Sequence, residues 1–189
     1  MNILYLHGWG SSFDAQSDKV LALSKLGQVH GVDLDYTQGS AAVLEVATGC
    51  VAKHDIDLVV GTSMGGWLAS HVGSKLGIPF VMVNPCLDPQ NKLSKYLGIH
   101  IDHNGHEYTF TQQMLDTYTD YASDGCGLVL LDMGDDVINS HETFDAVHGQ
   151  YQIGTFLGGS HRFEHMAQSL DAISGFFDNA QINYELAQE

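Results

Sequence analysis

Positive charge is what this chain has least of. Its 189 residues hold 7 Lys+Arg against 23 Asp+Glu, a formal net charge of -16. A field of that sign repels nucleic acid and anionic membranes, so neither is expected as a partner. Charged residues of any kind make up only 16% and hydrophobic ones 44%, a balance that suits a packed globular chain and argues against disorder. Cysteine is scarce too. Cys50, Cys86 and Cys126 are an odd number with no Cys-x-x-Cys spacing, which indicates neither a disulfide framework nor a zinc site. No apolar stretch approaches the roughly 18 residues of a membrane span. Met1-Asn2 runs straight into Ile3-Leu4-Tyr5-Leu6 with no basic region, so no signal peptide is read and the cytoplasm is the expected location. Internal repeats, low-complexity tracts and linkers are missing, and the length suits a single domain over 1–189.

What is present is an alternation of short apolar runs with helical patterns. Strands are predicted at 2 or 3 to 6, 29–34, 57–60, 78–83, 128–133 and 151–156; helices at 14–26, 39–54, 64 to Gly77, 140–148 and 163–178. Such alternation implies an α/β fold, a three-layer α/β/α sandwich whose roughly six parallel strands are covered on both faces. The segment of about 84–127 interrupts the rhythm. Its pattern predicts a helix at 91–97, a hairpin turn at Asn104-Gly105 and a helix at 111–122. A two-residue turn there would set His103 opposite His106 and Asp102 opposite Glu107. An insertion after the fourth strand lies at the carboxyl ends of the strands, where ligands bind in open parallel sheets. It reads as a small lid, with a surface excursion as the alternative.

Chemistry enters at Val59-Val60-Gly61-Thr62-Ser63-Met64-Gly65-Gly66, a Gly-x-Ser-x-Gly between a predicted strand and a predicted helix. A serine hydroxyl is a weak nucleophile. It must stand exposed on a sharp turn where a base and oxyanion donors can reach it, and glycines on either side leave room for that turn. About 0.2 chance matches to the motif are expected in a chain of this composition, so the surroundings carry the case. The fifth strand runs into Met133-Gly134-Asp135-Asp136 and the sixth into Gly158-Gly159-Ser160-His161. Asp135 and His161 therefore fall at adjacent strand ends on the same sheet edge as Ser63, in the chain order Ser, Asp, His. Asp136 is the rival acid and Asp132 a more distant one. His71, His141, His148 and His165 sit in predicted helices, while His30 and His54 precede the serine. The oxyanion hole should use the backbone N–H of Met64 and that of Trp9, in the loop His7-Gly8-Trp9 after the first strand.

Together, Leu4-Tyr5-Leu6-His7-Gly8-Trp9-Gly10-Ser11-Ser12, Gly61-Thr62-Ser63-Met64-Gly65-Gly66, Val83-Asn84-Pro85, Gly134-Asp135-Asp136-Val137 and Gly158-Gly159-Ser160-His161 resemble the α/β-hydrolase superfamily, and within it the small bacterial YqiA-like esterases. The resemblance spans nearly the whole chain. It implies a triad of Ser63, Asp135 and His161 and hydrolysis of carboxylic or thioester bonds; no cofactor and no metal is expected. It also implies a trimmed fold, because the larger superfamily begins with two further strands. Asn139 stands where many members carry proline after the acid, and Trp9 replaces the more frequent phenylalanine.

The expectation is a serine carboxylesterase acting on a small acyl ester through an acyl-enzyme intermediate. An acyl-CoA thioesterase and a catalytically silent binding protein of the same fold are the alternatives, and the oligomeric state is left open. A dinucleotide site at Gly8-x-Gly10 fails where Phe13 replaces the third glycine. A metal site built on His100, His103 and His106 fails because residues three apart on a strand point to opposite faces.

Overall fold

A computed structural model describes residues 1–101 and 107–186. Its elements in chain order are β1 (Asn2–Leu6), α1 (Asp18–Leu23), β2 (Gln28–Gly31), α2 (Ser40–His54), β3 (Leu58–Thr62), α3 (Met64–Leu76), β4 (Phe80–Val83), α4 (Pro89–Leu93), β5 (Gly98–Ile101), β6 (Glu107–Phe110), α5 (Gln112–Leu115), β7 (Gly127–Asp132), α6 (Ser140–Val147), β8 (Gln152–Phe156) and α7 (Leu170–Leu186). Six strands form one sheet in the order β2-β1-β3-β4-β7-β8, and every pairing in it is parallel.

Side chains alternate across a strand, and here both faces are buried. Leu4, Leu6, Val59, Phe80, Met82, Val129 and Leu131 pack on one side with α2, α3 and the segment after β4. Ile3, Tyr5, Leu58, Val60, Val81, Val83, Leu128 and Leu130 pack on the other with α1 and α7. The result is a three-layer α/β/α sandwich. Burial on both faces is why these strands read as continuous apolar runs.

Several predicted elements end elsewhere. The helix predicted over 14–26 is confined to Asp18–Leu23, capped by Ser17. The helix predicted over 111–122 is the single turn α5. Beyond it the carbonyls of Thr117, Tyr118, Thr119 and Asp120 accept from the side chains of Ser40, Gln90, Trp67 and His71, so the backbone acceptors that would continue a helix are taken by distant donors. The helix predicted over 163–178 instead occupies Leu170–Leu186, because residues 160–165 are tied to β7 as described below.

The predicted hairpin exists as β5 and β6, but in a shifted register, with Glu107 facing Ile101 and not Asp102. The Asn104-Gly105 turn, His103 and His106 lie outside the described residues. Phe110, Leu115 and Tyr118 are buried in the core, so the segment after β4 is anchored by its own apolar side chains.

Candidate active site

β3 ends at Thr62 and α3 begins at Met64, which leaves Ser63 alone on the turn between them. Its backbone sits at φ 57 and ψ -119, a strained conformation for a residue with a side chain. The turn can be this tight because its glycines have no Cβ. One on Gly61 would stand 1.8 Å from the Gly65 carbonyl oxygen, and one on Gly65 would stand 2.0 Å from the carbonyl oxygen of Leu6. The strained residue is pinned from both sides: Ser63 N–H donates to Val83 O, and Ser63 O accepts from Gly66, Trp67 and Cys86.

Asp135 lies in the loop after β7. Its Oδ1 accepts the N–H groups of Val137 and Ile138, each at 2.8 Å, and its Oδ2 accepts the His161 Nδ1–H at 2.8 Å. Burial alone would raise this carboxyl; the bonds from His161, Ile138 and Val137 outweigh it and hold Asp135 below its usual range. With the Nδ1 proton committed to a carboxylate, Nε2 is the acceptor, and it lies 3.0 Å from Ser63 Oγ. Ser63, Asp135 and His161 are thus brought together by two hydrogen bonds. Asp136 serves the main chain, accepting His161 N–H at 3.2 Å.

A second aspartate fixes the loop that carries His161. Asp132 is fully buried. Its Oδ1 accepts the His165 Nδ1–H at 2.7 Å, and its Oδ2 accepts the N–H groups of Glu164 at 2.7 Å and Ser160 at 3.3 Å. Asn84, itself at φ 41, accepts Asp132 N–H at 2.8 Å and donates to Ser160 O at 2.9 Å. These bonds hold 160–165 in turns, which delays the last helix to Leu170. His165 is therefore not helical, and Asp132 is not a stand-in for Asp135. The sequence signal that could have found the pair is an aspartate closing β7 with a second histidine four residues beyond His161.

The loop after β1 reaches the same place. A Cβ on Gly8 would lie 3.2 Å from Ser63 Cβ and 3.6 Å from its Oγ, so a side chain here would push the two backbones apart by a few tenths of an ångström. His7, nearly buried, donates from Nδ1 to Gly8 O at 2.8 Å and accepts Leu34 N–H on Nε2 at 2.9 Å. Burial lowers its pKa, which keeps the ring neutral for this structural task. The Tyr36 hydroxyl donates to His7 O at 2.7 Å. The Trp9 ring lies between Tyr96, stacked at 5.4 Å, and Phe110, edge-on at 4.8 Å. Met64 N–H, at the first position of α3, has no carbonyl one turn back within the helix. Among the described residues neither it nor Trp9 N–H makes a loop or cap hydrogen bond.

Trp9, Ser63, Met64, Leu93, Tyr96, Ile138 and His161 line a cleft of about 200 Å³. Cys86 also touches it, but burial first and Asp88 second push its thiol up to about 12, so it is protonated and no competing nucleophile. His100 donates to Leu97 O at 3.4 Å and stacks on Tyr108. Among the described residues no group of three His, Cys, Asp or Glu is placed to hold a metal ion, and no helix is long and apolar enough to cross a membrane.

A family model described as an uncharacterised protein family, UPF0227, matches residues 2–178. A UPF0227 protein of Yersinia pseudotuberculosis is 26% identical over 192 residues, covering 92% of this chain and 97% of its own. Among solved structures, Est1E from Butyrivibrio proteoclasticus superposes with a TM-score of 0.71 at 14% identity, covering 96% of this chain and 88% of that one. Alpha/beta hydrolase domain-containing protein 10 from mouse does so with a TM-score of 0.65 at 14% identity, covering 94% and 90%. At these identities the likeness is one of fold, and the fold is that of the α/β-hydrolases, trimmed to six strands.

Proposed function

The chain belongs to the UPF0227 family, and from that premise we propose that it is a serine hydrolase, a carboxylesterase acting on small acyl esters with Ser63, His161 and Asp135 as its catalytic triad. The observation that carries this reading is the continuous relay from Asp135 Oδ2 through His161 to Ser63 Oγ, at 2.8 and 3.0 Å. His161 Nε2 takes the Ser63 proton as Oγ attacks the ester carbonyl. Asp135 holds the ring and stabilises the imidazolium. The N–H groups of Trp9 and Met64 receive the oxyanion. His161 then gives its proton to the leaving alkoxide, and the acyl group remains on Ser63. Water, deprotonated by the same nitrogen, attacks the acyl carbon and releases the acid.

Small acyl groups fit the size of the site. The cleft beside Ser63 holds about 200 Å³, below the roughly 300 Å³ at which drug-sized ligand pockets begin. Leu93 and Tyr96, from the segment after β4, line this cleft together with Ser63, which supports reading that segment as a small lid within one domain. p-Nitrophenyl esters of graded chain length test the reading. Short esters should be turned over, and Ser63→Ala should lower kcat by about 10⁴-fold or more. Undiminished turnover by that variant would refute it.

A further inference from the structure

Of the 7 Lys and Arg in the chain, four (Lys19, Lys92, Lys95 and Arg162) line the two clefts that meet at Ser63 and His161. Of its 23 Asp and Glu, Asp14 alone does so among the described residues. The charge balance of the whole molecule is reversed at this one mouth. A neutral substrate has no use for such a reversal. An anionic one, repelled by the rest of the surface, would be drawn to it.

The two clefts differ in character. The first is the apolar one already described, with Lys92 and Lys95 exposed at its rim and the Lys95 ammonium 5.2 Å from the Tyr96 ring centre. The second, of about 440 Å³, is lined by Ser63 and His161 together with the hydroxyl residues Ser11, Ser12 and Ser17 and the cations Lys19 and Arg162. Since His161 must hand its proton to the departing oxygen, the leaving group lies over that ring. Arg162 directly follows His161 in the chain. His161 borders both clefts, and it is their linings that differ: hydroxyls and two cations suit the second to a polar leaving group, and Met64, Leu93 and Ile138 suit the first to an acyl chain.

Lys19 and Arg162 both line this second cleft, close enough for one charge to act on the other. Burial first, and then the Arg162 guanidinium, push the Lys19 ammonium down from its ordinary value, against the pull of Asp18 and Asp132. Neither cation makes an ion pair with a carboxylate among the described residues. Two like charges that act on one another in this way are both relieved by a nearby anion.

Building on the reading of Ser63 as nucleophile, we propose that the cleft lined by Lys19 and Arg162 binds an anionic group, carboxylate or phosphate, on the leaving group of the substrate. The natural substrate is then an acyl ester whose alcohol half is negatively charged.

Butanoate esters of ethylene glycol, glycolic acid and 2-hydroxyethyl phosphate test this with the full chain, because the acyl group and the two-carbon leaving-group stem stay the same while the terminal group changes from neutral to carboxylate or phosphate. At low salt the kcat/KM of one anionic ester should exceed that of the neutral one tenfold or more, and sodium chloride should erode the advantage. Whichever anion is favoured identifies the group. In Lys19→Gln/Arg162→Gln the ratio should fall to near one, whereas Lys92→Gln/Lys95→Gln, which removes charge from the shared mouth but not from the leaving-group cleft, should lower it by a smaller factor and leave a clear preference. Wild-type protein gives an arm free of folding effects: 2-hydroxyethyl phosphate or glycolate should inhibit neutral-ester hydrolysis at lower concentration than ethylene glycol does. Equal rates on all three esters, a ratio unmoved in Lys19→Gln/Arg162→Gln, or a loss confined to Lys92→Gln/Lys95→Gln would overturn the proposal. No hydrolysis of any ester, with Ser63 unlabelled by a fluorophosphonate, would overturn the hydrolase reading and this inference with it. Labelled Ser63 without a charge preference would overturn this inference alone.

Discussion

Asp132 holds His165 at 2.7 Å beside the Asp135–His161 pair at 2.8 Å, so two aspartate–histidine pairs stand next to one another at the carboxyl edge of the sheet. They part company at the second ring nitrogen. That of His161 reaches Ser63 Oγ, whereas the His165 ring lies flat on Phe156, 5.1 Å away and tilted by 10°. One pair faces the cleft and the other anchors the loop on which the first depends.

Replacing that anchor should therefore cost stability as well as activity. Asp132→Ala leaves the N–H groups of Ser160 and Glu164 and the His165 ring without their acceptor in a buried place, a loss of about 3 kcal/mol. Asp132→Asn keeps an oxygen for the main-chain donors and should lose about half as much. Urea denaturation measures both, and equal stability of the three proteins would contradict the role given to Asp132.

Asp135→Asn should behave in the opposite way. An amide can occupy the same place, but it can donate to His161 Nδ1 and so favour the tautomer with the proton on Nε2, which cannot accept from Ser63. A fall in kcat of about 10³ to 10⁴-fold is expected, with a loss of urea midpoint at neutral pH smaller than that of Asp132→Ala. Steady-state kinetics on a short p-nitrophenyl ester, with the melt recorded alongside, checks it.

The same carboxyl gives the stability curve an acid limb. Its folded value lies below the ordinary one, so as pH falls the unfolded chain takes up this proton before the folded one does. The stabilisation is complete above the unfolded pKa of about 3.9 and is lost as pH falls through the lower folded value. Between about pH 5 and pH 2 the wild-type urea midpoint should fall more steeply than that of Asp135→Asn. Parallel curves would mean that Asp135 carries no such linkage.

Gly8→Ala is the sharpest probe of the oxyanion loop. The added methyl would meet Ser63 Cβ at 3.2 Å and Thr62 O at 3.3 Å, so the loop must back away by a few tenths of an ångström. That displaces Trp9 N–H while the core stays intact. A decrease in kcat of about tenfold, with KM little changed, is the expected result. An unaltered kcat would remove Trp9 N–H from the oxyanion hole.

Much of this was legible in the chain because strand and helix alternate so regularly. Once β3, β7 and β8 are located, Ser63, Asp135 and His161 must fall on one edge of the sheet, and the structure brings them together there. The sequence was less informative where distant side chains decide the backbone. Residues 117–120 look helical by spacing but surrender their carbonyls to Ser40, Gln90, Trp67 and His71. Residues 163–165 look like the start of a helix, but Glu164 and His165 are tied to Asp132. No local pattern marks His7 as a buried brace for the Trp9 loop, since its partners at Leu34 and Tyr36 are set by how β2 and its following loop pack against β1.

Covalent labelling tests the central claim most directly. The protein is incubated with a fluorophosphonate, digested and mapped by mass spectrometry. The account predicts a single phosphonyl adduct on Ser63, lost in Asp135→Asn and His161→Ala at the reagent concentration that saturates the wild type. An adduct on a different residue, or an active protein left unlabelled, would contradict it.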